Sequence, residues 1–242
     1  MRELTVLGTC GAWPEAGRAA SGFLLEADGF RLVLDLGYAT LPRLLGRCAA
    51  GELDAVVITH EHPDHCADLS ALCRALLLGD GRDGRVPLYC PPGVLERVQA
   101  MEPTEDLREV FWPHPLPGGY DVGPFRLDGR FLPHHVPHAG VRLSAPGLTV
   151  AYSGDAGPGR VLGELASGVD LLVAGSTLQG QAADPYLLSA AQAGKWAASA
   201  GAKRLMLTHF WPGAERRRSV AEAGAAYSGE ILAAGEDMVL TL

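Results

Sequence analysis

The sequence lacks any long hydrophobic run. No stretch approaches the roughly 18 consecutive apolar residues that suggest a membrane-spanning helix. Residues 1–4 lead directly into a strand-like run, with no apolar signal region and no cleavage site. These absences predict a protein of the cytoplasm with no membrane contact.

Cysteine is scarce and irregularly spaced. The chain has five cysteines, an odd number, and no pair at C-x-x-C spacing. A disulfide framework or a cysteine-based zinc site would need paired or clustered cysteines. We therefore expect reduced thiols, most of them buried.

Basic side chains are fewer than acidic ones. Lysine and arginine total 20 against 28 aspartates and glutamates, which gives a formal charge of −8. Such a surface repels polyanions on average, so a nucleic-acid substrate would need a local basic patch. The tight basic cluster of Arg216, Arg217 and Arg218 is interpreted as an exposed helix face, with a phosphate contact as the alternative. The balance of charge therefore argues against nucleic acid as a partner.

The overall composition is that of an ordinary globular protein, with 48% hydrophobic and 20% charged residues. The length suits one large layered domain, or two small domains folded as one unit, and we predict a single domain over residues 1–242. Strand-like runs are interspersed with helix-like segments, which predicts a layered α/β protein. The predicted strands are 4–7, 22–25, 31–34, 55–59, 86–90, 125–127, 140–143, 148–152, 170–173, 204–208 and 238–242. The predicted helices are 41–48, 64–78, one that starts near Pro92, 189–199 and one from about residue 215. Residues 101–119 are proline-rich and predict an irregular connection.

The densest chemical signal directly follows a predicted buried strand. Three imidazoles and two carboxylates occur within six residues, namely His60, Glu61, His62, Asp64 and His65. Neutral imidazole suits Zn²⁺, and a neighbouring carboxylate supplies an oxygen ligand. His60 and His62 are two residues apart, so in an extended segment they point to the same side. This cluster predicts a metal site.

Further candidate ligands lie at the ends of later strand-like runs. One run is followed by His134 and His135, another by Asp155 within Ser-Gly-Asp, and a third by His209 within Leu-Thr-His. Strand ends at one edge of a sheet bring together residues that are distant in sequence. His114 lies in the proline-rich connection and is interpreted as a surface residue.

The order of these motifs resembles that of metallo-β-lactamase-fold hydrolases. H-x-H-x-D-H after a buried strand, then a histidine, S-G-D and L-T-H, is most similar to the branch that contains ribonuclease Z and small phosphodiesterases. The resemblance covers nearly the whole chain, including residues 21–25 and 34–37. It implies a four-layer αββα sandwich with metals at one edge.

The resemblance also implies a set of ligands for each of two metal ions. His60, His62 and His134 would hold the first ion, Asp64, His65 and His209 the second, and Asp155 would bridge them. Asp35 would support the site from behind. His134 is preferred over His135 because of its offset from the following strand.

The implied chemistry is hydrolysis by a hydroxide that bridges two divalent ions, most naturally Zn²⁺, with Mn²⁺ or Fe as alternatives. Asp64 would both ligate and orient the hydroxide. Four metal charges against two aspartates leave a positive centre, which favours a small anionic substrate such as a phosphodiester. The resembling branch also makes a homodimer a reasonable expectation.

Two positions depart from the family pattern. A glutamate of the family corresponds to Gly175 here, and a histidine corresponds to Leu187. In the family these two residues help to protonate the leaving oxygen, a kind of assistance worth about 10²–10⁴-fold in rate. His138 is a candidate replacement donor, and a solvated loop histidine is the alternative. The chain also has no Gly/Lys-rich insertion that could form the RNA-binding arm of ribonuclease Z.

Three functions remain open at this point. The first is hydrolysis of small phosphodiesters. The second is hydrolysis of lactones, thioesters or other acyl substrates, for which the missing Glu/His pair would matter less. The third is a metal-binding protein with weakened catalysis that serves in binding or regulation.

Overall fold

The computed structural model describes residues 2–79, 84–180 and 184–242. They form two compact units, one made of Met1–Leu116 with Gly235–Thr241 and the other of Pro117–Ala234 with Leu242. The strands are β1 (Arg2–Gly8), β2 (Gly22–Ala27), β3 (Phe30–Leu36), β4 (Ala55–Val57), β5 (Val86–Cys90), β6 (Phe111–Pro115), β7 (Gly119–Val122), β8 (Phe125–Phe131), β9 (Ala139–Ala145), β10 (Leu148–Tyr152), β11 (Leu171–Gly175), β12 (Arg204–Thr208), β13 (Glu230–Ala233) and β14 (Val239–Thr241). The helices are α1 (Leu41–Leu45), α2 (Pro63–Cys66), α3 (Asp68–Leu78), α4 (Val94–Gln99), α5 (Leu107–Val110), α6 (Arg160–Leu165), α7 (Ala190–Ala200) and α8 (Arg216–Gly224).

The first unit contains a mixed sheet of seven strands in the order β14-β1-β2-β3-β4-β5-β6. The strands from β14 to β3 pair antiparallel, and those from β3 to β6 pair parallel. Buried side chains of the sheet, such as Val33, Val56 and Leu88, form one core with Leu69 and Leu72 of α3. Because β3 and β4 are parallel, the segments that follow them leave the sheet at the same edge.

The second unit contains another mixed sheet of seven strands, in the order β13-β12-β11-β10-β9-β8-β7. The strands β7 to β10 pair antiparallel, and β10 to β13 pair parallel. The core of this unit joins Leu172 and Leu205 of the sheet to Leu162 of α6 and Ala193 of α7. The parallel strands β10, β11 and β12 therefore present their carboxyl ends at one edge.

Helix α7 follows the sequence signals closely. Ser189 is its N-cap and accepts a hydrogen bond from the Gln192 amide at 3.2 Å, while the Gln192 side chain accepts from the Ser189 amide. Gly201 ends the helix at a left-handed φ of +66°. A Ser-x-x-Gln capping box and a terminal glycine are the expected boundaries of a helix.

The largest error of sequence prediction concerns residues 101–119. They are not wholly irregular, because they contain α5 and the strand β6, which pairs with β5 at the edge of the first sheet. Proline lacks an amide hydrogen and is tolerated on edge strands, where one side needs no partner. The strand β6 was therefore missed because it contains Pro113 and Pro115, although an edge strand tolerates both.

Several element boundaries also differ from prediction. The helix expected over 41–48 ends at Leu45, and that expected over 64–78 is divided into α2 and α3. The helix expected near Pro92 begins at Val94, and β4 ends at Val57 rather than at residue 59. The elements α6, β7 and β13 were not predicted.

The cysteines behave as expected. All five are buried, and none forms a disulfide. Over residues 2–79, 84–180 and 184–242, no helix is long and apolar enough to cross a membrane.

Candidate metal centre

The first unit gathers four potential ligands in the segment after β4. His60, Asp64 and His65 are buried, and His62 is half-buried as the N-cap of α2. The Nε2 atom of His60 lies 3.0 Å from Nδ1 of His62, and Nε2 of His65 lies 3.5 Å from Oδ2 of Asp64. The sequence folds this way because Pro63 suits the first turn of a helix, so the chain turns immediately after His62.

Asp35 orients two of these histidines from the end of β3. Its Oδ2 atom lies 2.7 Å from Nδ1 of His65 and accepts a hydrogen bond from the Thr59 hydroxyl at 2.8 Å. A carboxylate only accepts hydrogen bonds, so Nδ1 of His65 carries the proton and its Nε2 keeps a lone pair for a metal. The Thr59 oxygen lies 3.0 Å from Nδ1 of His60 and, having donated its own proton, accepts from that nitrogen.

The backbone around Asp64 is fixed by close contacts. The Asp64 carbonyl accepts from the Ser21 amide at 3.0 Å, and its Oδ2 accepts from the Ala12 amide at 2.7 Å. A Cβ atom on Gly37 would lie 1.9 Å from the Asp64 carbonyl oxygen. Only glycine fits at that distance, which explains Gly37 in the segment that follows Asp35.

The second unit gathers His134, Asp155 and His209. Nε2 of His134 lies 3.9 Å from Oδ2 of Asp155, and Nδ1 of His209 lies 3.4 Å from Oδ1 of the same carboxylate. All three side chains are at most 9% exposed. The Tyr186 carbonyl lies 3.1 Å from Nδ1 of His134, and because a carbonyl can only accept, this contact places a proton on Nδ1.

Strand ends position these residues. Asp155 follows β10 through Gly154, which has a φ of +57°, and His209 follows β12 with a φ of +56°. The hydroxyl of Ser153 accepts a hydrogen bond from the Gly175 amide at 3.0 Å and so joins the ends of β10 and β11. A positive φ is uncommon for histidine and marks a backbone held by its surroundings.

Thr177 contacts two candidate ligands and was not singled out from the sequence. Its hydroxyl lies 2.8 Å from Nδ1 of His209 and donates to Oδ1 of Asp155 at 3.3 Å. Thr59 in the first unit, which contacts Asp35 and His60, was likewise not singled out from the sequence. A buried threonine close to a strand end was the available signal, but that pattern is common and has little specificity.

The remaining histidines have distinct surroundings. His135 is exposed and packs against the Tyr186 ring at 4.6 Å between ring centroids, whereas the adjacent His134 is turned inward. His138 is only 1% exposed, with its ring centroid 5.2 Å from that of His134. The alternative of a solvated loop histidine at position 138 is therefore wrong.

The expectation that His114 lies on the surface needs correction. His114 is half-buried on β6 and stacks on the Tyr89 ring with 4.8 Å between centroids. Burial lowers the pKa of His114 because it penalises the charged imidazolium.

The two departures from the family pattern lie in different surroundings. A Cβ atom on Gly175 would be 3.0 Å from the Gly154 carbonyl and 3.9 Å from Cβ of His209. A side chain at position 175 would therefore start beside Asp155 and His209. Leu187 is half-buried.

The arginine cluster is largely part of the scaffold. Arg216 bonds the Ala234 carbonyl at 2.6 Å and lies over the Phe210 ring, and Arg218 pairs with Glu222 at 2.7 Å. Arg217 is exposed on α8. This arrangement agrees with the predicted helix face.

The donors in each unit fit a divalent metal ion. They are imidazole nitrogens and carboxylate oxygens, the ligands that Zn²⁺, Mn²⁺ and Fe²⁺ accept in proteins. In His65 the Nδ1 atom contacts a carboxylate, and in His134 it contacts a backbone carbonyl. Metal-binding histidines usually make such a contact through the ring nitrogen that does not bind the metal.

Comparison with known proteins identifies the family. The profile described as a beta-lactamase superfamily domain matches residues 33–210. The chain therefore belongs to the beta-lactamase superfamily. The probable metallo-hydrolase YhfI of Bacillus subtilis is 29% identical over 235 residues, which cover 95% of each protein. Ribonuclease Z of Kineococcus radiotolerans is 29% identical, with 92% of this chain and 90% of that protein covered. The uncharacterized protein Rv1339 of Mycobacterium tuberculosis is 32% identical, with 95% and 88% covered.

Solved structures show the same fold. The crystal structure of Bacillus subtilis YhfI, a metallo-beta-lactamase fold protein, has a TM-score of 0.90 and 28% identity, and covers 99% of this chain and 98% of that one. The short form of human tRNase Z has a TM-score of 0.78 at 24% identity, with 99% and 98% covered, and shows the fold alone. These likenesses confirm the predicted fold class. The sequence identity to ribonuclease Z of Kineococcus radiotolerans confirms the predicted resemblance to that branch.

The comparisons support hydrolase chemistry with a bound divalent metal ion. They do not support the expectation that nucleic acid is excluded, since several relatives are named ribonuclease Z. That expectation, the cytoplasmic location and the homodimer all stay predictions.

Proposed function

We propose that this protein is a metal-dependent hydrolase of small phosphodiesters. The observation that carries the proposal is the segment after β4, in which four ligand side chains face one another while Asp35 directs the protons of two histidines away from the metal side. Metal-binding histidines typically make a hydrogen bond through the ring nitrogen that does not bind the metal, as His65 and His60 do here.

The proposed ligands are the seven residues expected from sequence. They are His60, His62, Asp64, His65, His134, Asp155 and His209. A bound divalent ion would supply Lewis-acid chemistry, since it acidifies water and stabilises negative charge on oxygen. We propose two such ions, with zinc as the natural first choice for this donor set.

The residues of the chain supply orientation and charge. Asp64 has its Oδ2 held by the Ala12 amide, so its other oxygen can direct a water molecule or a metal ion without losing its position. The contact of Asp35 with Nδ1 of His65 places a proton on that nitrogen, so Nε2 is the atom that would face a metal ion. A phosphodiester suits the site because it carries the negative charge that a cationic centre attracts.

The leaving oxygen needs a proton donor other than the Glu/His pair of the family. The family's Glu/His pair is replaced by Gly175 and Leu187, and His138 is the nearest histidine to His134 on the same segment. We propose His138 as a proton donor whose contribution is small, and we expect slow turnover on esters with poor leaving groups.

The test is hydrolysis of bis-p-nitrophenyl phosphate by the purified protein. We expect activity that a chelator abolishes, that Zn²⁺ or Mn²⁺ restores, and that Asp64→Asn and Asp64→Ala reduce by at least about 100-fold, as for loss of a ligand contact. Asp28→Asn is the matched control, because Asp28 is an exposed carboxylate that pairs with Arg2. Its left-handed φ of +56° also suits asparagine.

The other outcomes decide between the remaining functions. No phosphodiesterase activity in a fully metallated protein, together with hydrolysis of thioesters or lactones, would replace the proposal by an acyl hydrolase. Full metal occupancy without turnover on either substrate class would indicate a binding or regulatory protein.

A further inference from the structure

Thr177 lies between two proposed metal ligands of the second unit. Its side chain is buried, with 3% of the residue exposed. One oxygen contacts Nδ1 of His209 at 2.8 Å and Oδ1 of Asp155 at 3.3 Å. Both partners are themselves almost fully buried, so no bulk water competes for these contacts.

The geometry gives the Thr177 hydroxyl as the donor to Asp155. A hydroxyl has a single proton and accepts with its lone pairs, whereas a carboxylate only accepts. If Thr177 donates to Asp155, it can only accept from His209, so Nδ1 of His209 must carry the proton. The same nitrogen lies 3.4 Å from Oδ1 of Asp155, a distance compatible with a proton on Nδ1.

We propose that Thr177 is a positioning residue that fixes His209 as the Nδ1–H tautomer and leaves Nε2 as the only atom available to a metal. This inference rests on the proposed metal role of His209. The first unit repeats the arrangement, since Thr59 donates to Asp35 and accepts from His60. Two threonines, each in the segment that follows a strand, thus perform the same task for one histidine each.

The direct test reads the tautomer without any metal or substrate. In long-range ¹H–¹⁵N spectra of metal-free protein labelled at histidine, with His209→Ala used for assignment, we expect the proton of His209 on Nδ1. Thr177→Val, which keeps the shape and removes the hydroxyl, should lose this single tautomer. Thr177→Ser should keep it.

The second readout is metal affinity measured by competition with a chromophoric chelator. Thr177→Val should bind Zn²⁺ about 10–100-fold more weakly, the usual effect of removing a hydrogen bond behind a ligand. Thr177→Ser should stay close to the wild-type affinity, and Thr177→Ala serves as a second hydroxyl-free variant if the valine does not fold. Thr208→Val is the matched control, because the buried Thr208 hydroxyl makes no hydrogen bond among the described residues.

Different results would contradict the role of Thr177 and the proposed metal site. A proton on Nε2 in the wild type, or unchanged zinc affinity in Thr177→Val, would overturn the role of Thr177. Weak zinc binding by the wild-type chain would instead contradict the proposed metal site.

Discussion

His134 and His135 are adjacent in the chain and have opposite surroundings. His134 points toward Asp155 and bonds the Tyr186 carbonyl, while His135 is exposed. The sequence favoured His134 only through its offset from the next strand. The structure adds a reason, since the Tyr186 carbonyl contacts Nδ1 of His134 while Nε2 faces Asp155.

The pair offers a matched test of this assignment. We expect His134→Ala to lower Zn²⁺ stoichiometry or affinity by at least about 10-fold, because a ligand is lost, and His135→Ala to change neither. Zinc content after dialysis against a buffered zinc solution measures both. Equal losses in the two variants would show that the ligand had been assigned to the wrong histidine.

Asp35 and Gly37 show how neighbouring residues serve one site in different ways. Asp35 acts through its carboxylate on Thr59 and His65, whereas Gly37 acts by having no side chain beside the Asp64 carbonyl. The motif was visible in the sequence, and Asp35 was expected to support the site. The need for glycine depends on a contact with a residue 27 positions later, which no local pattern reveals.

At the scale of elements, α7 was predicted almost to the residue and β6 was missed. The boundaries of α7 depend on its own capping residues, Ser189 and Gly201, so the local sequence is sufficient to predict them. Strand β6 exists because β5 offers it a partner, and its prolines have poor strand propensity. Local signals predict helices with caps better than they predict edge strands.

The cap of α7 can be tested by removing its hydroxyl. Ser189→Ala should lower the free energy of unfolding by about 1 kcal/mol, since the Gln192 amide loses its acceptor. Ser199→Ala in the same helix is the control, because Ser199 is exposed and bonds only the Trp196 carbonyl of its own helix. Urea unfolding monitored by circular dichroism measures the difference. A loss in Ser199→Ala as large as that in Ser189→Ala would contradict the role of the cap.

At the scale of the whole molecule, the thiols report on the integrity of the cores. Burial raises the pKa of Cys66 and Cys90 to about 12 and that of Cys48 and Cys73 to about 11. It also raises the pKa of Cys10. A raised thiol pKa means that the protonated form persists at pH 8, and the thiolate is the form that reacts.

We therefore expect native protein at pH 8 to react very slowly with 5,5′-dithiobis(2-nitrobenzoate). Denaturation in guanidinium chloride should release all five thiols. The variant Ser199→Cys, which places a thiol on an exposed helix position, should react rapidly with one equivalent. Rapid reaction of the native wild type would show that at least one of the buried cysteines is accessible in solution.

The fold class and all seven candidate ligands could be predicted from the sequence alone. His60, His62, Asp64 and His65 are adjacent in the chain, so their convergence on one another required only a short turn, which Pro63 provides. The acidic composition and the scattered cysteines likewise needed no structure to interpret.

Only the tertiary structure decided which groups form hydrogen bonds with the candidate ligands. Thr59, Thr177 and the Tyr186 carbonyl each reach a histidine or carboxylate through strand ends and loops that the sheets bring together. It also placed His138 in the interior and turned His135 toward solvent. Residue identity records the capacity to bind a metal or donate a proton, but hydrogen-bond partners depend on register and backbone angles, which are fixed by contacts between segments distant in the chain.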